Sequence, residues 1–174
     1  MENRPPKLSR RLRLNQVYID KTSYGNGVFA SVPFRAGRPV GRIFGEIKPP
    51  GYRSDYCMSF MEGALEPDPP YRFVNHSCDP NCELIEWEIT DEESGKKYYE
   101  LWLHTIRDIT KGEQLTIDYK WDKNAAIPCL CGSPNCRGWI CRPDEFADCV
   151  RERGPGSNGP DRIKNRSGFQ NSDM

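Results

Sequence analysis

Two stretches decide the reading of this chain: N-H-S-C-D-P-N-C at Asn75–Cys82 and C-L-C-G-S-P-N-C at Cys129–Cys136. The second carries Cys129, Cys131 and Cys136 in a C-x-C-x4-C pattern, and Cys78 stands upstream in the first. Zinc takes four tetrahedral ligands, so three thiolates from one short segment leave one position open. With Cys78 in that position, the metal clamps the C-terminal segment onto the stretch holding Asn75 and His76, and His76 is not needed as a ligand. Cys141 is the competing fourth ligand, and its choice removes the long-range clamp. Cys57, Cys82 and Cys149 read as small packing or surface residues.

The chain has 174 residues, eight of them cysteine, with 25 basic and 25 acidic side chains. That length fits one domain with an adequate apolar core. Zero net charge argues against bulk binding to nucleic acid. The basic N-terminus lacks the apolar stretch of a secretory signal, and no run is long enough to span a membrane. A reducing, intracellular compartment is therefore expected, where clustered cysteines read as metal ligands rather than disulfides.

Residues 1–13, with Arg4, Lys7, Arg10, Arg11 and Arg13, read as a basic arm, either frayed or docked on an acidic partner. Residues 14–47 read as short strands, with Y-G-N-G (Tyr24–Gly27) as a turn. Residues 48–70 contain five prolines and are expected to hold at best a short helix. The alternation in E-L-I-E-W-E-I-T and Y-Y-E-L-W-L-H-T predicts a hairpin over 83–107, and Q-L-T-I-D-Y (Gln114–Tyr119) reads as another strand. Residues 143–174 are assigned to a tail too polar to pack. The acidic run from Glu83 to Glu93 is a solvated hairpin face or an attractor for a basic peptide.

Taken in order, Y-G-N-G-V-F-A (Tyr24–Ala30), F-G-E (Phe44–Glu46), N-H-S-C-D-P-N-C, G-E-Q-L-T-I-D-Y (Gly112–Tyr119) and C-L-C-G-S-P-N-C-R-G-W-I (Cys129–Ile140) resemble the SET-domain protein-lysine methyltransferases that carry a post-SET zinc segment. The resemblance runs from about Leu14 to Arg142. It implies a mainly β fold, the β-clip arrangement of several small sheets with a threaded C-terminal segment. It partitions the chain into the arm at 1–13, a SET domain at 14–122, a post-SET zinc segment at 123–142 and the tail at 143–174.

The resemblance also implies the chemistry. The expected activity is transfer of a methyl group from S-adenosylmethionine to a lysine amine, with Tyr119 as the catalytic hydroxyl. Gly25, Asn26, Gly27, Tyr56, Asn75, His76 and Trp139 are carried over as cofactor contacts, with Tyr56 and Trp139 the weaker matches. Cys78, Cys129, Cys131 and Cys136 are expected to hold one structural zinc. The implied partner is a protein presenting a lysine, such as a histone tail or another basic segment. Direct nucleic-acid binding and a membrane are not expected. Nucleus and chromatin follow for a eukaryotic source, and cytoplasm for a bacterial one.

Each motif also has a plainer reading. The two glycines suit a hairpin turn, Tyr119 an ordinary strand position, and Trp139 a residue packed on the back of the cysteine loop. Two residues depart from the family. Ile117 stands where an aromatic is frequent, and Ile43 replaces a tyrosine. Fewer hydroxyls around the amine imply a roomier, more apolar channel that tolerates a methylated lysine. The alternative is a catalytically silent SET module that binds a peptide or partner, and a third reading is a zinc-stabilised β domain without a cofactor.

Overall fold

A computed structural model describes residues 16–61 and 63–156. The basic arm at 1–13 and residues 157–174 of the tail lie outside the described residues. The chain divides into two compact units. Of the described residues, the larger comprises 16–61, 63–75 and 80–117, and the smaller comprises 76–79 and 118–156.

The expected mainly β architecture holds. Strands β1 (Val17–Thr22) and β2 (Gly25–Ala30) pair antiparallel from Val17 with Ala30 to Thr22 with Gly25. The bend between them is Ser23-Tyr24, so Gly25, Asn26 and Gly27 are strand residues rather than the turn itself. Gly25 sits at φ +108°, a conformation that favours glycine. At Gly27 a Cβ would lie 2.7 Å from both Gln114 Nε2 and Thr22 Cγ2, so any larger residue there would displace those side chains.

Strands β3 (Pro39–Ile43) and β4 (Gly45–Lys48) follow. Residues 48–70 then form strands, not a helix: β5 (Met58–Phe60) and β6 (Gly63–Pro67) make a three-stranded sheet of order β4-β6-β5. The prolines bound these strands instead of interrupting them. Pro49 and Pro50 follow β4, Pro67 ends β6, and Pro69 and Pro70 lie beyond it. Met58 and Phe60 are buried while Ser59 between them is exposed, the period-two signature of a strand.

Strands β8 (Cys82–Thr90) and β9 (Lys97–Thr105) pair in continuous register, from Cys82 with Thr105 to Thr90 with Lys97. The Asp91 carboxylate closes their turn by accepting from Ser94 N–H and Ser94 Oγ at 2.7 Å each, and Gly95 takes φ +67°. The central strand of the sheet β3-β9-β8 is buried from Glu100 to Thr105. Glu100 accepts from Trp102 Nε1 at 2.9 Å and pairs with Arg42 of β3. Of the acidic run, Glu88 is tied to Lys97 and Tyr99 and Glu86 accepts from Met61 N–H.

The remaining sheet has the order β1-β2-β10-β7, with β7 at Asn75–His76 and β10 at Gln114–Ile117. In the larger unit, Asn81 stitches the loop after β7 to β10. Its Nδ2 donates to Gln114 O at 2.8 Å and Glu113 Oε1 at 3.0 Å, and its Oδ1 accepts from Thr116 N–H at 2.9 Å. Asn81 is 1% exposed, so its truncation leaves Gln114 O and Thr116 N–H without the buried partner that joins them. Asn81→Ala is expected to cost about 2–4 kcal/mol, read as a lowered denaturation midpoint. An unchanged midpoint would show that these groups find other partners.

The smaller unit contains β11 (Ile127–Pro128), β12 (Trp139–Ile140) and helix α1 (Phe146–Arg153), and β11 and β12 pair antiparallel. The expectation of an unpacked tail from residue 143 is corrected for residues 143–156. Pro143–Glu145 forms a turn of 3₁₀-helix, and α1 buries Cys149. Phe146, Cys149 and Val150 lie at a spacing of three and four, so one narrow apolar stripe suffices although the segment is polar on average. That stripe packs on Ala126, Trp139 and Cys141.

Candidate functional site

The cysteine cluster lies within the smaller unit. The sulfurs of Cys78, Cys129, Cys131 and Cys136 are all within 4.8 Å of one another, and Cys78 and Cys129 are 3.6 Å apart. Tetrahedral zinc with Zn–S bonds of ~2.3 Å sets its sulfurs ~3.8 Å apart, so this donor set fits that ion. Cys141 is not the fourth member. It is fully buried in the packed cluster with Trp139 and Cys149.

Main-chain N–H groups prepare the sulfurs for negative charge. Cys78 N–H points to Cys131 Sγ at 3.5 Å and Gly138 N–H to Cys136 Sγ at 3.4 Å. Burial works to raise the Cys131 thiol, but N–H groups of Cys78 and Ser133 and the adjacent thiols outweigh it and bring it down to about 7. Burial pushes Cys78 up to about 11 and raises Cys129 as well. A bound divalent cation would reverse that burial cost, because each thiol would release its proton to solvent and bind as the thiolate.

His76 sits beside this cluster. Its Nδ1 accepts from Tyr119 N–H at 3.2 Å, which leaves the proton on Nε2, 3.4 Å from Cys78 Sγ. Burial, helped by the Arg137 charge, lowers its pKa to about 4 against the opposing pull of Asp118, so the ring is neutral near pH 7. Both ring nitrogens are thus engaged within the smaller unit, and only the main chain of His76 is left to meet a ligand. The Tyr119 ring lies between those of His76 and Trp121, with centroids 5.4 and 5.3 Å away.

Asp118 and Arg137 form a nearly buried pair, with Arg137 Nη2 at 2.8 and 2.9 Å from the two carboxylate oxygens and 3.2 Å from Cys141 O. Neither residue was singled out from the sequence. The available signal was position alone, since Arg137 follows a cysteine ligand and Asp118 precedes Tyr119.

In the larger unit the structure brings Asn75 and the glycine segment together, with Asn75 Nδ2 donating to Asn26 O at 3.0 Å. The space around a Cβ built at Gly25 is open, so the backbone there is approachable. Tyr56 is 38% exposed, lies edge-on to Phe73 at 6.3 Å and carries the Arg72 guanidinium 4.0 Å above its ring. Ile43 and Ile117 are each 3% exposed.

Trp139 takes the plainer of its two readings. It is 4% exposed, packs in the core of the smaller unit and donates from Nε1 to Gly154 O at 3.0 Å. Its assignment as a cofactor contact is withdrawn. A tail assumed to be unpacked had hidden the helix that covers it.

A SET-domain family model matches residues 25–120, more than half of the chain. The H3 lysine-4 specific histone-lysine N-methyltransferase of Schizosaccharomyces pombe is 47% identical over 72 residues, covering 40% of this chain and 7% of that protein. The H3 lysine-36 specific enzyme of Mycosarcoma maydis is 42% identical over 71 residues, with 40% and 7% covered. The chain therefore matches only a small part of these relatives. Among solved structures, one described as showing the basis of product specificity of histone lysine methyltransferases aligns with TM-score 0.51 at 28% identity, covering 75% of this chain and 59% of that one. KRYPTONITE in complex with mCHG DNA and SAH aligns with TM-score 0.57 at 23% identity, covering 69% and 27%, a likeness of fold. With the family match ending one residue beyond Tyr119, this chain belongs to the SET-domain family.

Proposed function

We propose that the chain transfers a methyl group from S-adenosylmethionine to a lysine amine of a protein substrate. The observation that carries this reading is the span of the SET match, from the glycine segment to Tyr119. The relatives are named histone-lysine methyltransferases and the fold neighbour holds SAH, which supports both activity and methyl donor. Similar identity to lysine-4 and lysine-36 enzymes favours a histone tail as substrate without selecting its lysine.

In this reading Gly25, Asn26 and Gly27 offer main-chain atoms to the cofactor, with Asn75 holding them in place. His76 contributes its main chain, and Tyr56 an exposed aromatic face. When bound, the sulfonium supplies an electrophilic methyl group. The acceptor lysine must be neutral to attack, and with a free pKa of ~10.4 its deprotonation at pH 7 costs roughly 4–5 kcal/mol. A narrow apolar channel lowers that pKa by desolvating the ammonium. The Tyr119 hydroxyl orients and polarises rather than acting as a strong base. Cys78, Cys129, Cys131 and Cys136 hold one structural zinc. A nuclear, chromatin location follows for a eukaryotic chain.

The test is transfer of labelled methyl to histones and to a cell lysate, beside a Tyr119→Phe control. Label in a discrete protein, lost in the control, supports the enzyme. Cofactor binding without label points to the silent module, the reading that Ile43 and Ile117 favour.

Ile43 and Ile117 bring no hydroxyl to their buried positions, so di- and trimethyl-lysine are the expected main products. Ile117→Tyr, which adds bulk and a hydroxyl, is expected to shift the mixture toward monomethyl-lysine. Mass spectrometry of the product decides this, and mainly monomethyl-lysine from the unaltered chain would sink the idea.

A further inference from the structure

Two side chains of the smaller unit run from the cysteine cluster to the consecutive residues 118 and 119. One is His76, between Cys78 Sγ and Tyr119 N–H. The other is Arg137. It follows the ligand Cys136 directly, its main-chain N–H faces the Cys78 thiol, and its Nη2 grips Asp118 and Cys141 O. The Arg137 and Asp118 side chains are only 17% and 10% exposed. Removing an ion pair from water is a weak source of stability, and Arg137 Nε is buried with no partner among the described residues. An arrangement that costs desolvation yet fixes direction is suited to positioning.

We propose that Arg137 is a positioning residue, transmitting metal occupancy of the four-cysteine cluster through Asp118 to the orientation of Tyr119. The proposal rests on the reading of Tyr119 as the catalytic hydroxyl. A bound metal gives Cys78 and Cys136 a common centre, and Arg137 is tied to both. Without it the two anchors move independently, and so does the guanidinium that holds Asp118. His76 is a parallel strut, so loss of Arg137 loosens Tyr119 without releasing it.

The experiment incorporates 3-fluorotyrosine into the full chain and follows the ¹⁹F resonance that Tyr119→Phe removes. The zinc-loaded chain is expected to show one sharp Tyr119 signal, which chelation replaces with that of an unfolded tyrosine. Arg137→Met should retain one zinc per chain yet show a broadened signal. Its kcat should fall about tenfold or more with KM little changed, because a misplaced group affects the chemical step more than binding. Arg137→Lys should recover part of both effects, since its ammonium can still donate to Asp118. Asp118→Asn leaves the neighbours of every cysteine ligand intact and serves if Arg137→Met loses metal. A sharp, unshifted Tyr119 signal in a zinc-bound Arg137→Met or Asp118→Asn chain would overturn the proposal. The ¹⁹F comparison judges the coupling even where the unaltered chain labels no protein, the result that would count against the reading of function.

Discussion

Replacing Tyr119 by Phe is expected to lower methyl transfer by about 10²–10³, the magnitude seen when one oriented donor at a reacting centre is removed. The change should be confined to chemistry. The hydrogen bond from residue 119 to His76 Nδ1 is made by the main chain, so Phe keeps it. The ring contacts with His76 and Trp121 require an aromatic ring and not a hydroxyl. Zinc content, thermal midpoint and cofactor binding should therefore match the unaltered chain. Single-turnover rates with equilibrium binding of S-adenosylmethionine make the comparison. Full activity in Tyr119→Phe would remove the hydroxyl from the mechanism, and a loss of zinc would make its role structural.

Metal removal should have the largest effect on stability, and it should be local. The smaller unit holds only roughly forty described residues, a size at which a hydrophobic core alone is marginal. Its buried apolar set is Ala126, Trp139, Cys141 and Cys149, with Phe146 and Val150 packed beside them. Structural zinc contributes about 10–16 kcal/mol of apparent binding energy in small zinc domains, far more than this core offers. Chelation, or Cys78→Ser, is expected to unfold residues 118–156. The larger unit has its own core, including Val28, Val40, Leu103, Ile109 and Leu115, and should persist. Limited proteolysis with mass mapping and metal analysis is the measurement. Cleavage concentrated beyond Ile117 is the expected pattern. Protection of that region after verified loss of zinc would show that the helix and Trp139 hold it unaided.

The hairpin of β8 and β9 was legible because one alternating pattern met a turn closed by Asp91 and Gly95. Cys129, Cys131 and Cys136 were legible because thiolate spacing is a strong local signal, and Cys78 was expected from the resemblance. Residues 48–70 were misjudged because prolines at strand ends look, in sequence, like prolines within strands. Trp139 and α1 were misjudged together. A polar segment with three apolar residues on one stripe appears unable to pack unless its partner surface is known.

The sequence alone determined the fold class, the family and the chemistry of the donor set, because these depend on residue type and local spacing. Tertiary structure settled the expected choice of Cys78 over Cys141, and it alone decided that both ring nitrogens of His76 are engaged and that Arg137 meets Asp118. Each of those contacts joins residues remote in the chain, and their partners are set by packing and burial, which no local pattern encodes.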